Sequence, residues 1–124
     1  MNVVDSSAWL EYFADGPNAR VFAQPIEATR SLLVPSSSLF EVFKRVSQQR
    51  DEDEALRAIA VMEQGKVIDL DRATALEAAR LSIQHHIAMA DSVMLATSQR
   101  HRATFWTQDS DFELMTGVRY YPKR

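Results

Sequence analysis

The fold is decided at residues 2–9, Asn2-Val-Val-Asp-Ser-Ser-Ala-Trp9, where a short β-branched run leads directly into residues that begin a helix. Val3 and Val4 favour an extended strand. Ser6 and Ser7 supply the hydroxyl oxygens that are typical of a helix N-terminus. The chain therefore opens as a strand followed by a helix.

The same alternation of strands and helices continues to the end of the chain. Because parallel strands need crossover connections, and the crossover helices cover the sheet, the alternation predicts a parallel α/β sheet with helices on both faces. Such sheets bind ligands at the carboxyl ends of their strands. Further strands are predicted at 31–34, 66–70, 104–107 and 118–121, and further helices at 21–28, from 39, from 54 to 65, at 71–86 and at 91–100.

Composition indicates one domain, spanning residues 1–124, because 124 residues with 46% hydrophobic side chains suffice for one core. The absence of cysteine excludes disulfides and thiolate zinc sites. No apolar run approaches the roughly 20 residues of a membrane span, and no basic segment precedes the first strand. We therefore expect a soluble, cytoplasmic protein that does not enter a membrane.

A net charge of −3 argues at first against a nucleic-acid partner, because phosphate contacts normally require an excess of Lys and Arg. If several of the 17 acidic residues surround a metal, however, bound cations cancel part of that charge locally. The net charge therefore does not decide the question.

Two acidic residues have an unusual placement in the predicted fold. Asp5 follows the first strand, where its carboxylate can cap the next helix or bind a metal. Asp91 lies in Ile87-Ala-Met-Ala-Asp-Ser-Val-Met-Leu-Ala96, which is apolar on every side apart from Asp91 and Ser92 and therefore predicts a buried helix. Since burying a carboxylate is costly, helix capping and metal ligation are its two explanations.

Three further acidic residues give weaker local signals. Glu41 lies opposite an apolar helical stripe, where it can pair with Lys44 and Arg45 or line a cleft in which those two side chains contact phosphates. Asp109 and Asp111 follow the fourth strand, where both are also typical turn residues. Spacing alone does not decide which of these two points at a site.

Acidic residues after the first and fourth strands and on a buried helix are what a shared pocket requires. Clustered carboxylates repel one another, so they are stable only if protonated or bridged by hard cations, which predicts Mg²⁺ or Mn²⁺. His85 and His86 diverge on their helix and His101 is isolated, which argues against zinc. With three glycines the chain has no phosphate-binding glycine loop. The aromatic residues of the early helices are predicted to be core rather than base-stacking platforms; they are Trp9, Tyr12, Phe13, Phe40 and Phe43.

Four segments together resemble a PIN domain, in particular a VapC-type toxin of a bacterial toxin–antitoxin pair. They are Val3-Val-Asp-Ser-Ser-Ala-Trp9, Glu41, Met89-Ala-Asp-Ser-Val-Met-Leu-Ala96 and Thr107-Gln-Asp-Ser-Asp-Phe112. The resemblance implies a three-layer α/β/α sandwich with a mostly parallel sheet of four to five strands. It also implies a Mg²⁺- or Mn²⁺-dependent ribonuclease that forms homodimers, with an antitoxin that blocks the acidic cleft.

The resemblance also assigns roles to single residues. It makes Asp5, Glu41, Asp91 and Asp109 the acidic quartet, with Asp111 as a substitute for or auxiliary to Asp109. Ser6 and Thr107 match positions where the family favours hydroxyl residues, which suggests hydrogen bonds to the carboxylates. Arg102 departs from the pattern, since relatives often have glycine before the fourth strand.

The mechanistic hypothesis is that Asp5 and Asp91 anchor a metal, Asp109 and Glu41 complete the site, and a metal-activated water attacks an RNA phosphodiester in line. Two alternatives remain open. One is a phosphoacceptor signalling domain, in which Asp69 or Asp71 after the third strand is phosphorylated. The other is a non-catalytic module that keeps the fold and binds a basic partner.

Overall fold

The computed structural model describes all residues, 1–124, and contains one sheet of five strands. The strand order is β3-β2-β1-β4-β5, and every neighbouring pair is parallel. The prediction of a mostly parallel sheet of four to five strands is therefore confirmed. The strands are β1 (Asn2–Val4), β2 (Leu32–Pro35), β3 (Lys66–Ile68), β4 (Thr104–Thr107) and β5 (Val118–Tyr120).

Six α-helices connect the strands, and short 3-10 turns occupy Thr29–Ser31 and Ser110–Phe112. None of the helices is long and apolar enough to cross a membrane. The helices are α1 (Ser6–Phe13), α2 (Ala19–Glu27), α3 (Ser36–Gln49), α4 (Glu52–Met62), α5 (Arg72–His85) and α6 (Met89–Arg100).

The helices form a layer on each face of the sheet because successive strand residues point to opposite faces. Val3 packs with residues of α5 and α6 in one core cluster. Val4 packs in a second cluster with residues of α1, α2, α3 and α4. The same alternation separates Phe105 from Trp106 in β4. The structure is thus the predicted α/β/α sandwich.

Element boundaries differ from the sequence expectation by a few residues. α3 begins at Ser36, immediately after Pro35, rather than after the serine run. α6 begins at Met89, so Asp91 lies in its first turn instead of at its start. β3 ends at Ile68, and the exposed Asp69 follows it. These shifts occur where capping and pairing between elements, rather than hydrophobic pattern, set the end of an element.

The strand order excludes the phosphoacceptor hypothesis. In doubly wound signalling domains of that type the third strand is central, in the order 2-1-3-4-5. Here β3 is an edge strand. Asp71 caps α5, since its Oδ1 accepts a hydrogen bond from the Thr74 amide at 2.8 Å, and this bond holds the pKa of Asp71 below its usual value.

Candidate active site

Four acidic residues from four separate elements line one pocket of about 470 Å³. Asp5 and Asp109 lie just past the carboxyl ends of β1 and β4, which are neighbours in the sheet. Glu41 comes from α3 and Asp91 from the first turn of α6. The predicted quartet is therefore brought together at the carboxyl ends of the strands, where parallel α/β folds place their ligands.

Asp5 is buried, with 2% of its surface exposed, and does not cap α1 through its side chain. Its Oδ2 accepts hydrogen bonds from Ser7 Oγ at 2.9 Å and from Thr107 Oγ1 at 2.7 Å. Its Oδ1 has no hydrogen-bonding partner. Burial raises the pKa of Asp5, the bonds from Thr107 and Ser7 oppose that rise, and the nearby Asp109 and Glu41 carboxylates add to it. One oxygen of Asp5 is thus fixed while the other remains available for a ligand.

The Thr107 side chain links two of the acidic residues. It is fully buried, and its Oγ1 accepts a hydrogen bond from the Asp109 amide at 2.9 Å while donating to Asp5. Asp109 Oδ1 in turn accepts from the Asp111 amide at 2.9 Å, as expected for a turn. Asp111 is exposed and lines a different pocket, beside Glu77. Of the two acids after β4, Asp109 is therefore the one that lines the acidic pocket.

Glu41 makes no ion pair with Lys44 or Arg45, the only salt bridges of the structure being within α4 and α5. Its Oε1 accepts a hydrogen bond from Ser6 Oγ at 2.7 Å. This bond joins residues 35 positions apart and fixes α3 against the start of α1. Ser6 and Thr107 both orient carboxylates, as the resemblance suggests.

Asp91 is half-buried and has no hydrogen bond that would stabilise its charged form, so it does not act as a helix cap. Its pKa is raised from 3.8 to about 7, chiefly by burial and further by the carboxylates of Asp5, Asp109 and Glu41. The neighbouring helix residues Ser92–Ser98 are all buried, which confirms the predicted buried helix. Asp91 is therefore a carboxylate that lacks a compensating positive charge.

The donor set of this pocket fits a hard divalent cation, because carboxylate oxygens are the ligands that Mg²⁺ and Mn²⁺ prefer. No group of three or more acidic or histidine side chains stands close enough to form a preassembled metal site. Binding would accordingly require the side chains to converge. Burial, and to a lesser degree the neighbouring carboxylates, raise the pKa values of Asp5 and Asp91, and a bound cation would offset both effects.

The remaining wall of the pocket is basic and polar, and it contains one aromatic ring. Lys44, Arg45 and Gln48 extend along α3 from Glu41 and are exposed. Phe40 lines the same pocket with 66% of its surface exposed, so the prediction that it belongs to the core is wrong. The reason is that the buried face of α3 is formed by Val42, which is fully buried, and by Leu39 and Val46, which are partly buried. Phe40 lies outside that face.

Sequence comparison gives the family of this chain. Residues 3–118 match the family model described as PIN domain. The chain belongs to the PIN domain family. A search of curated proteins found no match for this PIN domain.

Several solved structures contain a chain with the same fold as this PIN domain, and the match covers nearly the whole length of both chains. A toxin–antitoxin complex from Klebsiella pneumoniae contains a chain of 22% identity and TM-score 0.81, with 98% of this chain and 99% of that chain covered. VapC20 from Mycobacterium tuberculosis, described as a Sarcin-Ricin loop cleaving toxin, has 14% identity and TM-score 0.78, with 94% and 95% covered. VapBC2 from Rickettsia felis, bound to a DNA fragment from its promoter, has 12% identity and TM-score 0.75, with 98% and 97% covered.

Two residues of this PIN domain pocket were missed or misjudged from the sequence. The sequence pattern assigns the Ser7 hydroxyl only to helix capping, whereas in the structure it donates a hydrogen bond to Asp5. Its position two residues after a strand-end carboxylate is a usable signal for that bond. The sequence predicts Phe40 to be core because it lies among apolar neighbours in α3. Only the packing of α3 on the sheet distinguishes it from them.

Proposed function

We propose that this PIN domain is a Mg²⁺- or Mn²⁺-dependent endoribonuclease and the toxin of a toxin–antitoxin pair. The observation that carries the proposal is the pocket lined by Asp5, Glu41, Asp91 and Asp109, with Lys44 and Arg45 beside it. Acidic residues supply the ligands of a hard cation, and basic residues supply contacts for phosphates. Both are needed for metal-assisted hydrolysis of a phosphodiester.

Asp5, Asp91 and Asp109 are the proposed ligands. A divalent cation held there would lower the pKa of a bound water and offset the charge that develops on the attacked phosphate. The hydroxyls of Ser7 and Thr107 hold Oδ2 of Asp5, which leaves Oδ1 without a hydrogen bond and free to bind the cation. This arrangement positions the carboxylate before any ligand arrives.

Glu41 is proposed to complete the site. Its Oε1 is held by Ser6, which leaves Oε2 to accept a proton or a hydrogen bond from water in the pocket. The ammonium of Lys44 and the guanidinium of Arg45 would contact the phosphates that flank the cleaved bond. No histidine lines the pocket, so general base catalysis by histidine has no part in this proposal.

An antitoxin partner and a homodimer belong to the same proposal. The similar solved structures include a toxin–antitoxin complex and VapBC2, which supports a protein partner for this chain. An antitoxin would inhibit by covering the acidic pocket. Expression of the wild-type chain alone should then arrest bacterial growth, whereas the Asp91→Asn chain should not.

The decisive experiment is cleavage of an end-labelled single-stranded RNA by the purified chain, freed of any bound partner. We expect cleavage with Mn²⁺ and none with EDTA. Asp91→Asn should lower the rate on the order of 100-fold. Asp69→Asn, which removes an exposed carboxylate outside the pocket, is the matched control and should cleave at the wild-type rate.

The same samples distinguish the non-catalytic alternative. If the wild-type chain is folded, leaves RNA intact and binds Mn²⁺ negligibly, the protein is a binding module that keeps only the PIN fold. Cleavage by wild type and by Asp91→Asn at equal rates would instead contradict the assignment of the site.

A further inference from the structure

Phe40 is the only aromatic residue of this chain that is exposed. The chain has six Phe, two Trp and three Tyr residues, and all the others are buried or partly buried. The apolar face of α3 is complete without it, because Val42 and its neighbours already fill the contact with the sheet. Leaving this ring in water forfeits the burial free energy that the core phenylalanines gain. The core therefore does not explain it.

The position of the ring relates it to the acidic pocket. Phe40 precedes Glu41 in α3 and lines the pocket together with the four carboxylates. The Lys44 ammonium, one helical turn further on, lies 5.8 Å from the centroid of the Phe40 ring. A flat apolar surface and a cation thus stand side by side in the lining of the pocket.

A nucleic-acid base fits this pair better than a protein side chain does. Only two of the pocket's lining residues are hydrophobic, Phe40 and Leu10, and the others are charged or polar. Protein partners select contiguous apolar patches, which an isolated ring among charges does not provide. Single-stranded nucleic acids instead combine base stacking on aromatic rings with phosphate contacts to neighbouring cations.

We propose that Phe40 is a stacking platform for one base of the single-stranded RNA substrate, with Lys44 contacting the adjacent phosphate. This inference rests on the proposed ribonuclease function and names how its site recognises the substrate. Stacking of this kind tolerates any base, because every base has a π-face. Phe40 therefore positions the strand and does not select a sequence.

The test uses a single-stranded RNA that carries the fluorescent base 2-aminopurine at each position in turn, bound to the Asp91→Asn chain without metal. At one position the fluorescence of 2-aminopurine should change on binding, because stacking on the ring separates that base from its neighbours in the strand. In this background Phe40→Trp should retain the RNA affinity, whereas Phe40→Leu should abolish the fluorescence change and weaken RNA binding about 10-fold. Ile83→Ala, which removes an exposed apolar side chain from α5 outside the pocket, should bind like its parent.

Kinetics in the chain with an intact Asp91 provide a second readout. Phe40→Leu should raise KM about 10-fold, with a smaller effect on kcat, since the ring does not touch the reacting atoms. An equal 2-aminopurine fluorescence change in the Asp91→Asn chain with and without Phe40→Leu, together with equal KM in the wild-type and Phe40→Leu chains, would overturn the proposal. So would a Phe40→Leu chain that only loses self-association, because the ring would then belong to a protein interface.

The two proposals fail in different ways. If the ribonuclease function is wrong, neither the wild-type chain nor the Phe40→Leu chain cleaves RNA with Mn²⁺. If only the stacking role is wrong, the wild-type chain cleaves and the Phe40→Leu chain cleaves with the same KM. Absence of any 2-aminopurine fluorescence change that depends on the Phe40 ring, measured with the Asp91→Asn chain, also rejects the stacking role.

Discussion

The electrostatic strain at Asp91 predicts a pH-dependent gain in stability when its charge is removed. Without metal, the folded chain holds the proton of Asp91 up to a pKa of about 7, against an ordinary value of 3.8. Below pH 3.8 both the folded and the unfolded chain are protonated at this group, so it contributes nothing. Between these values only the unfolded chain releases the proton, so the folded state loses stability as pH rises and the loss is complete above about pH 7.

The size of the effect follows from the two pKa values. At about 1.4 kcal/mol per pKa unit, the difference corresponds to roughly 4 kcal/mol. Asp91 is only half-buried, and solvent screening reduces this to about 2 kcal/mol. In EDTA the Asp91→Asn chain should therefore match the wild type near pH 4 and exceed its free energy of unfolding by about 2 kcal/mol at pH 8.

Urea unfolding followed by tryptophan fluorescence measures this difference, because Trp9 and Trp106 are both buried and report on the core. Asp69→Asn removes an exposed carboxylate and should show no such growth of the difference with pH. If the Asp91→Asn difference in unfolding free energy is the same at pH 4 and pH 8, burial and the neighbouring carboxylates do not raise the pKa of Asp91 in the folded chain. The charge of Asp91 would then not destabilise the folded state.

Three other substitutions test separate parts of the structure. Thr107→Val removes the hydroxyl that joins Asp5 to Asp109, so it should lower the free energy of unfolding by about 1–3 kcal/mol and lower RNA cleavage on the order of 10-fold. Thr107→Ser should restore both the stability and the cleavage. Full cleavage by the Thr107→Val chain would contradict the positioning role of Thr107. Arg102→Gly should raise the free energy of unfolding by about 0.5–1 kcal/mol, because Arg102 has a φ of 51°, a left-handed conformation that glycine adopts without strain. Chemical denaturation that shows no gain in stability would argue against strain in this turn. Lys44→Met removes one proposed phosphate contact, so it should reduce the slope of log Kd for RNA against log salt concentration by about 1, as measured by fluorescence anisotropy. An unchanged slope would show that Lys44 does not contact phosphate.

The sheet and its helices could be predicted from the sequence because their signals are local. Buried parallel strands such as Leu32–Pro35 are short apolar runs between breaking residues, and α6 is apolar on all sides. The same local logic placed Asp5 and Asp109 at strand ends. Since parallel strands end at one edge, that sufficed to bring these two acids together.

The rest of the site depends on how distant elements pack. Glu41 has only charged and polar neighbours on its helical face, and its bond to Ser6 spans 35 residues, so no local pattern reveals it. The apolar residues around Phe40 occupy a wider sector of the α3 helical wheel than the face that α3 buries, so the sequence does not show which of them is exposed. Arg102 stands where relatives often have glycine. Its left-handed φ shows the backbone strain that glycine would relieve, and the sequence alone does not reveal that φ.

The acidic residues Asp5, Glu41, Asp91 and Asp109 are proposed to form one site for a divalent cation. Titration of Mn²⁺ into the metal-free chain at pH 8, with free Mn²⁺ followed by electron paramagnetic resonance, measures this directly. We predict saturable binding to the wild-type and Asp69→Asn chains that is lost in Asp5→Asn and Asp91→Asn. Equal Mn²⁺ binding by all four folded chains, or none by the wild type, would contradict the claim.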